Sequence, residues 1–308
     1  MKKTNFCRIF AVALVSAAAV SFYSCGDDTP PDGPPAGPTD PSTIATDNLI
    51  GYWSFEDKAT DEIGNKGTAS NKVTYVTGRR GKAYQGAEDA FISFDVTATD
   101  KFATMKGYTM AAWMKAPAGT KEPGALFQIS GNQYAGALAW LHNRSETGAA
   151  FNNLQAMFSK AGSVEWVGQT WNDGNEAYLV NKWFHVVHNY DPVTSKATIY
   201  INGNLLVVTN GGAAYYQSNP GTTKDDDGNI IDENPNGALP VGDLKLDILE
   251  SGNKGMIGGW AEVEFGTATD AWKDYYYGQL DELRIYNKAL SAQEVKALYD
   301  AEVENINK

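Results

Sequence analysis

The chain is poor in cysteine, in histidine and in positive charge. Two cysteines occur in 308 residues. Cys7 lies within the N-terminal apolar stretch and Cys25 lies where that stretch stops. Removal of such a stretch as a secretory segment takes Cys7 with it, so no internal disulfide can hold the mature fold. The three histidines are His142, His185 and His188. Residues three apart on a strand face opposite ways, so His185 and His188 cannot share a metal through that strand. No Ser-His-Asp constellation can be assembled, and Cys25 is not a candidate nucleophile. Lysine and arginine number 25 against 37 acidic residues, a net charge of −12. No basic stripe stands out. This excludes nucleic acid as a partner, whose binding depends on neutralising phosphates. It also disfavours polyanionic glycans. Helical periodicity is scarce, and no apolar run is long enough for a comfortable membrane span.

What is present begins with a targeting segment over residues 1–25. Lys2, Lys3 and Arg8 precede an apolar run that ends in "SFYSC". This resembles the signal and lipobox of bacterial lipoproteins, in which the cysteine, here Cys25, carries the lipid. Phe22, Tyr23 and Ser24 stand where that pattern usually has Leu and small residues. The following "CGDD" resembles the acidic export signal of surface lipoproteins in some Gram-negative bacteria. The resemblance implies an outer-membrane, lipid-anchored, surface-exposed protein. Residues 26–46 then hold Pro30, Pro31, Pro34, Pro35, Pro38 and Pro41, half of the 12 prolines. Such a tract cannot pack a core. It predicts a semi-rigid spacer reaching roughly 60 Å at about 3 Å per residue.

Residues 47–308 are rich in glycine and aromatics. Strand-like runs recur between turn signals: "LIGYWSF", "AFISFDV", "YTMAAWMKA", "ALFQIS", "WFHVVHNY", "ATIYING", "LLVVT", "GMIGGW" and "LDELRIY". Asn202-Gly203 supplies the positive φ angles of a type I′ turn and predicts a hairpin. Many short strands with turns between them predict an all-β sandwich or jelly roll of antiparallel sheets. One helix is expected, over about residues 292–301. Ser291 and Glu294 form its capping box, and Val295 and Leu298 its apolar face. It is expected to pack on the sandwich rim.

The order of the pieces carries a resemblance. "KWFHVVHNYDPVTSKATIYINGNLL" and "GQLDELRIYNKALSAQEVKALYD" together resemble the laminin-G-like, concanavalin A-like lectin/glucanase domains of bacterial surface proteins. Residues 138–179 and 211–250 match nothing in that pattern. The resemblance implies a jelly roll whose first and last strands lie side by side.

Strand alternation places Asp281 in phase with Leu283 and Ile285, on the core face. A buried carboxylate needs a cation, an arginine or several N–H groups. The resemblance implies a structural Ca²⁺ near the seam of first and last strands. Its candidate ligands are Asp61, the Asn65 side chain, the Gly67 carbonyl and Asp281, oxygen donors of the kind calcium takes. The alternative is that Asp281 caps a turn or pairs with Arg79 or Arg80. "KDDDGNIIDENP" lacks the first and last ligands of an EF-hand loop and is read as a solvated acidic loop.

Glycoside hydrolysis generally needs two carboxyl groups flanking the bond. The glucanase relatives carry Glu-x-Asp-x-Glu on one strand, and no such run occurs here. Glu262 and Glu264 share a strand face in "WAEVEFG" with no Asp between them. A non-catalytic protein is expected. Sugar binding uses aromatic faces with polar side chains beside them. The unmatched middle supplies Trp140, Asn143, Arg144, Trp166, Trp171, Asn172 and Asp173. The expected function is capture of a polysaccharide or a glycoprotein glycan. The alternative is a protein-binding or structural adhesion module within an outer-membrane assembly. A diverged hydrolase would need an acid pair the sequence does not offer.

Overall fold

The fold comes from a computed structural model that describes residues 40–64, 66–117, 124–131, 136–144, 152–159, 166–170, 180–206, 216–217, 239–249, 252–265 and 273–304. Asp40 caps a turn of 3-10 helix at Pro41–Thr43, and a second such turn, Thr46–Asn48, leads into the first strand.

Two antiparallel sheets make the sandwich. The larger runs, strand by strand, Asn204–Leu205, Lys196–Ile201, Trp183–Asp191, Tyr108–Lys115, Gln279–Tyr286, Lys82–Gln85 and Thr74–Thr77. The first strand, Leu49–Trp53, also pairs with the last, Gln279–Tyr286, as expected. The smaller sheet runs Trp166–Thr170, Asn152–Ser159, Leu138–Arg144, Gly124–Ile129, Asn253–Ile257, Ile92–Val96 and Thr68–Ala69. The middle segment that matched no pattern therefore supplies three consecutive strands at one edge of this sheet. The predicted hairpin is present: Asn202 and Gly203 have φ of 50° and 74°, and residues 200 and 201 pair with 205 and 204. Glycine meets the second positive φ without a Cβ penalty.

Alternation along each strand sends one set of side chains into the interior. Tyr108, Met110, Ala112 and Met114 do so from the larger sheet, and Phe127, Ile129, Leu138 and Trp140 from the smaller. At the centre, Trp53, Phe94, Phe102 and Phe127 pack with ring centroids 5.3 to 6.4 Å apart. Tilted aromatic packing of this kind adds to the area each ring buries.

The C-terminal helix, Ala292–Glu304, starts as the capping box requires. Ser291 N–H donates to Glu294 Oε2 at 2.7 Å, and Glu294 N–H to Ser291 Oγ at 3.2 Å. It does not sit on the rim. Val295 and Leu298 pack with Ala111, Val187, Tyr200 and Tyr286, on the face of the larger sheet turned away from the interior. The physical reason is that this outer face is itself apolar and needs a cover.

The last strand departs from regular alternation, which corrects the expected position of Asp281. Its register against Tyr108–Lys115 shifts between Asp281 and Arg284, and Glu282 has φ of 52°. This is a β-bulge, which adds one residue and reverses the facing of everything beyond it. Leu280, Leu283 and Ile285 are all interior. Asp281 pairs with Trp113 and Arg284 with Ala111, both on the helix-covered face. Asp281 therefore lies under the helix and not in the core.

The bulge sits where the strand changes partners on one edge. Residues 279 and 280 pair with Lys82–Gln85, whereas 283 to 286 pair with Leu49–Trp53. The helix is tied at this point by charge. Arg284, 2% exposed, forms an ion pair with Glu302 of the helix. Its other amino group bonds Glu282 at 2.8 Å. Removing Glu302 leaves the buried Arg284 with one carboxylate, Glu282, in place of two. Glu302→Ala is expected to cost about 3 kcal/mol or more, and joint replacement of Arg284 by Met and Glu302 by Leu markedly less. Urea unfolding of the three proteins checks this. A Glu302→Ala variant as stable as the parent would show that the pair does not hold the helix.

Candidate functional site

Two polar regions are built into the sandwich. The first surrounds the bulge. Glu282 Oε2 accepts from Tyr52 Oη at 2.8 Å, from Arg284 Nη2 at 2.8 Å and from Arg80 Nη1 at 2.9 Å. Trp113 Nε1 donates to Glu302 Oε2 at 2.8 Å, and His185 Nε2 lies 3.5 Å from the same oxygen. Arg284 also lies over the Tyr52 ring, 4.0 Å from its centroid, and Arg79 over Trp113 at 4.6 Å. Burial holds the His185 imidazole down to about 3, with the Arg284 charge adding to the effect, so the ring is neutral. Burial also raises Glu302, against the pull of Arg284.

Asp281 Oδ2 accepts the Arg80 N–H at 2.8 Å, and its Oδ1 has no hydrogen-bond partner. The turn at residues 78–81 comes this close because residue 78 is glycine. A Cβ there would stand 2.5 Å from Asp281 Oδ2. Asp281 therefore caps the turn between two strands. Burial pushes its carboxyl up to about 8, countered in part by the Arg80 amide.

The other expected calcium ligands sit in the loop after the first strand. Asp61, 1% exposed, accepts the N–H of Gly64 at 3.1 and 3.0 Å and that of Lys66 at 2.6 Å. Gly67 has φ of 134° and packs against the Ala59 carbonyl. Asn65 lies outside the described residues. As placed, Asp61 and Asp281 each serve a separate backbone turn. Among the described residues no group of three or more His, Cys, Asp or Glu side chains gathers to hold a metal.

The second polar region lies on the outer face of the smaller sheet. Ala125, Ala139, Leu141 and Trp260 form a cluster of their own there, with Met157 against it. Gln128 fixes the turn at residues 260–264 over this face: its Oε1 accepts from Ala261 N–H at 2.8 Å and its Nε2 donates to Glu262. The expectation that Glu262 and Glu264 lie on a strand is corrected here. They lie on a helical turn, Ala261–Glu264. Lys273 Nζ is 4.0 Å from Glu262, and Glu264 accepts from Tyr275 Oη. The sequence reading missed Gln128 and Lys273, for which no local pattern gives a signal.

The aromatic candidates for sugar contact separate. Trp140 is wholly buried between the sheets in the main cluster. It is a core residue and not a stacking platform, because its place on the strand Leu138–Arg144 points it inward. The backbones of Asn143 and Arg144 continue that strand, paired with residues 153 and 152. Trp166 begins the edge strand of the smaller sheet. Trp171, Asn172, Asp173 and Cys25 lie outside the described residues, as does the acidic loop at 224–235. The histidines behave as alternation predicts. His185 packs with Trp113 and Tyr299, and His188 stacks on Tyr108 inside.

Residues 89–237 match the family described as the concanavalin A-like lectin/glucanases superfamily. Among curated proteins, none matches by sequence. Of solved structures, the ligand-binding domain of botulinum neurotoxin serotype D in complex with N-acetylneuraminic acid superposes with a TM-score of 0.51 at 13% identity. That match covers 83% of this chain and 52% of that one. The receptor-binding domain of a botulinum neurotoxin C/D mosaic serotype gives 0.52 at 12% identity, covering 82% and 51%. The chain thus spans about half of each, and at this identity the likeness shows the fold alone. That fold is a lectin-like, concanavalin A-like jelly roll of two antiparallel sheets with a C-terminal helix.

Two outcomes follow from the geometry. Trp140→Ala is expected to cost about 3–5 kcal/mol of stability. Urea unfolding followed by circular dichroism checks this, and a midpoint equal to that of the parent would refute the core assignment. The second concerns pH. The folded chain keeps a proton on Asp281 up to about pH 8, while the unfolded chain releases it near 4. Its stabilising contribution is complete below pH 4 and is lost as pH rises towards 8. The slope is at most about 1.4 kcal/mol per pH unit for one proton. Asp281→Asn cannot ionise, so its stability should fall less between pH 6 and pH 9 than that of the parent. Parallel urea midpoints for the two proteins over that range would refute the assignment.

Proposed function

We propose that this protein is a surface lectin-like module that captures a polysaccharide or glycoprotein glycan without catalysis. The observation that carries the reading is the concanavalin A-like sandwich itself, matched by the superfamily over residues 89–237. A structurally similar toxin domain is described in complex with a sialic acid, which is compatible with a glycan ligand.

The proposal includes a lipid anchor at Cys25 in the outer membrane, with the proline-rich tract as a stalk. It also includes a structural calcium ion held by Asp61, Asn65, the Gly67 carbonyl and Asp281. Asp281 Oδ1, which accepts no hydrogen bond, is the oxygen that residue would offer, whereas both Asp61 oxygens accept backbone amides. The second reading, a protein-binding or adhesion module, would be favoured by a broad apolar patch. The exposed large hydrophobics among the described residues are Ile63, Val193, Leu205, Val263 and Phe265. Val263 and Phe265 share the turn after Trp260, and Ile63, Val193 and Leu205 lie on three other segments.

The experiment is binding of the full chain to a polysaccharide panel, with calcium and with EDTA. Saturable retention by one glycan is the expected result. No retention across a broad panel, by protein shown to be folded, would transfer the function to protein binding. Calcium is read separately. A melting temperature that falls in EDTA, with unchanged affinity of the folded fraction, supports a structural ion. An unmoved melting temperature removes it.

A further inference from the structure

Beyond the last turns of the C-terminal helix, a polar row crosses the outer face of the larger sheet. Trp183 pairs with Lys115, Lys115 with Gln279, and Gln279 with Gln85. Their strand neighbours Phe184, Met114, Leu280 and Tyr84 pack into the interior. Alternation therefore turns the four residues of the row outwards. Each is partly exposed. Gln279 Nε2 donates to Gln85 Oε1 at 2.8 Å, which fixes the two amides side by side.

An arginine is held beside this row. Arg79 belongs to the turn that the Gly78 N–H closes on the Gly81 carbonyl at 3.0 Å. The backbone amides of Arg79 and Arg80 both bond Asp281, which anchors the turn on the sheet. The Arg79 guanidinium lies 4.6 Å from the centre of the Trp113 ring. Trp113 shares a strand face with Lys115 and is the diagonal neighbour of Trp183, positions roughly 7–8 Å apart. Stacking on an indole holds the planar fork in place before a ligand arrives. Arg79 Nε is buried without a partner, while its two amino groups make no bond among the described residues and reach the surface.

The other charges nearby are balanced. Arg80 pairs with Glu282, and Arg284 with both Glu282 and Glu302. Burial keeps a proton on Asp281 up to about pH 8. Among the described residues no carboxylate lies within ion-pair distance of Arg79 or Lys115. Two unmatched cations thus share one sheet face in a chain of net charge −12. An arginine fork beside a lysine suits a carboxylate. The Trp183 ring at the end of the row suits the C–H face of a sugar. The net charge disfavours a long polyanion, so one acidic unit on an otherwise neutral chain fits best.

We infer that this face binds a carboxylate-bearing sugar unit, a hexuronate or a sialic acid. The carboxylate accepts from both amino groups of Arg79 and from Lys115 Nζ, and the ring lies against Trp183. This rests on the glycan-binding reading and narrows its ligand class.

The test uses the full chain in ligand-observed NMR, beside the polysaccharide panel. Glucuronate, galacturonate and N-acetylneuraminate are the probes, with glucose and galactose as neutral counterparts. Arg79→Gln removes the fork and leaves the backbone bond to Asp281 in place. Lys115→Gln removes the second charge and breaks no side-chain bond made among the described residues. The expected result is saturable binding of one acidic sugar, at least about tenfold tighter than that of the neutral sugars. Arg79→Gln should weaken it about tenfold or more, since a hydrogen bond to a charged group is of that order. Lys115→Gln should weaken it less. Melting temperatures separate loss at the site from misfolding, and Lys115→Gln carries the test where Arg79→Gln is destabilised. Glycan retention with no preference for acidic sugars, or acidic-sugar binding that both substitutions leave unchanged, would overturn this site and keep the lectin reading. A glutamate-rich peptide bound in place of any sugar, and lost with Arg79→Gln, would overturn the saccharide and give the face to an acidic protein partner. No binding of any probe or polysaccharide by the folded parent would overturn both.

Discussion

The last strand is shared between two partners on one edge, and most of the architecture follows from how that is managed. Lys82–Gln85 takes its beginning and Leu49–Trp53 takes its end. Two antiparallel neighbours cannot occupy the same edge in one register without a break. The bulge at Asp281 and Glu282 supplies the break, with Glu282 in the left-handed region. Backbone strain of that kind costs of order 1–3 kcal/mol and persists only where surroundings over-determine it. Here the surroundings are the turn amide on Asp281 and three donors on one Glu282 oxygen. The strained residue is also the centre of a charge cluster.

That cluster explains why the helix lies where it does. The outer face of the larger sheet carries Ala111, Val187 and Tyr286, which need a cover. Apolar packing alone would let a short amphipathic helix slide. The ion pair of Arg284 with Glu302, joined by the Trp113 hydrogen bond, fixes its last turns, while the capping box fixes the first. Buried ion pairs of this type contribute little net stability against a hydrophobic replacement. Their use here is to specify one position on the sheet. Fixing the segment before the helix also leaves a cavity between it and the turn at 191–196.

The two outer faces are therefore treated differently. The larger sheet is closed by a helix that leaves an opening at one end. Over the smaller sheet, a turn held through Gln128 brings Trp260 into the apolar cluster of Ala125, Ala139 and Leu141. The interior of the sandwich is filled, much of it by aromatic rings. The interior position of Trp140 illustrates the point: an aromatic residue in an unmatched segment was recruited to the core by strand phase alone.

Some of this was written locally in the chain. The all-β class, the Asn202-Gly203 hairpin and the capping box at Ser291 and Glu294 rest on interactions within a few residues, so sequence determines them. The same holds for the opposite facing of His185 and His188. The pairing of first and last strands was legible only through resemblance. Tertiary structure alone decided the rest. Alternation put Asp281 in the core, and the bulge, forced by a change of partner on one edge, put it under the helix. The helix went to a sheet face because that face was apolar, which its own sequence does not state. The strands of the middle segment and the inward turn of Trp140 depend on neighbours far along the chain. Asn189 reads as one polar residue in a strand, and its bond to the Leu290 carbonyl exists only because the segment before the helix folds back over that strand.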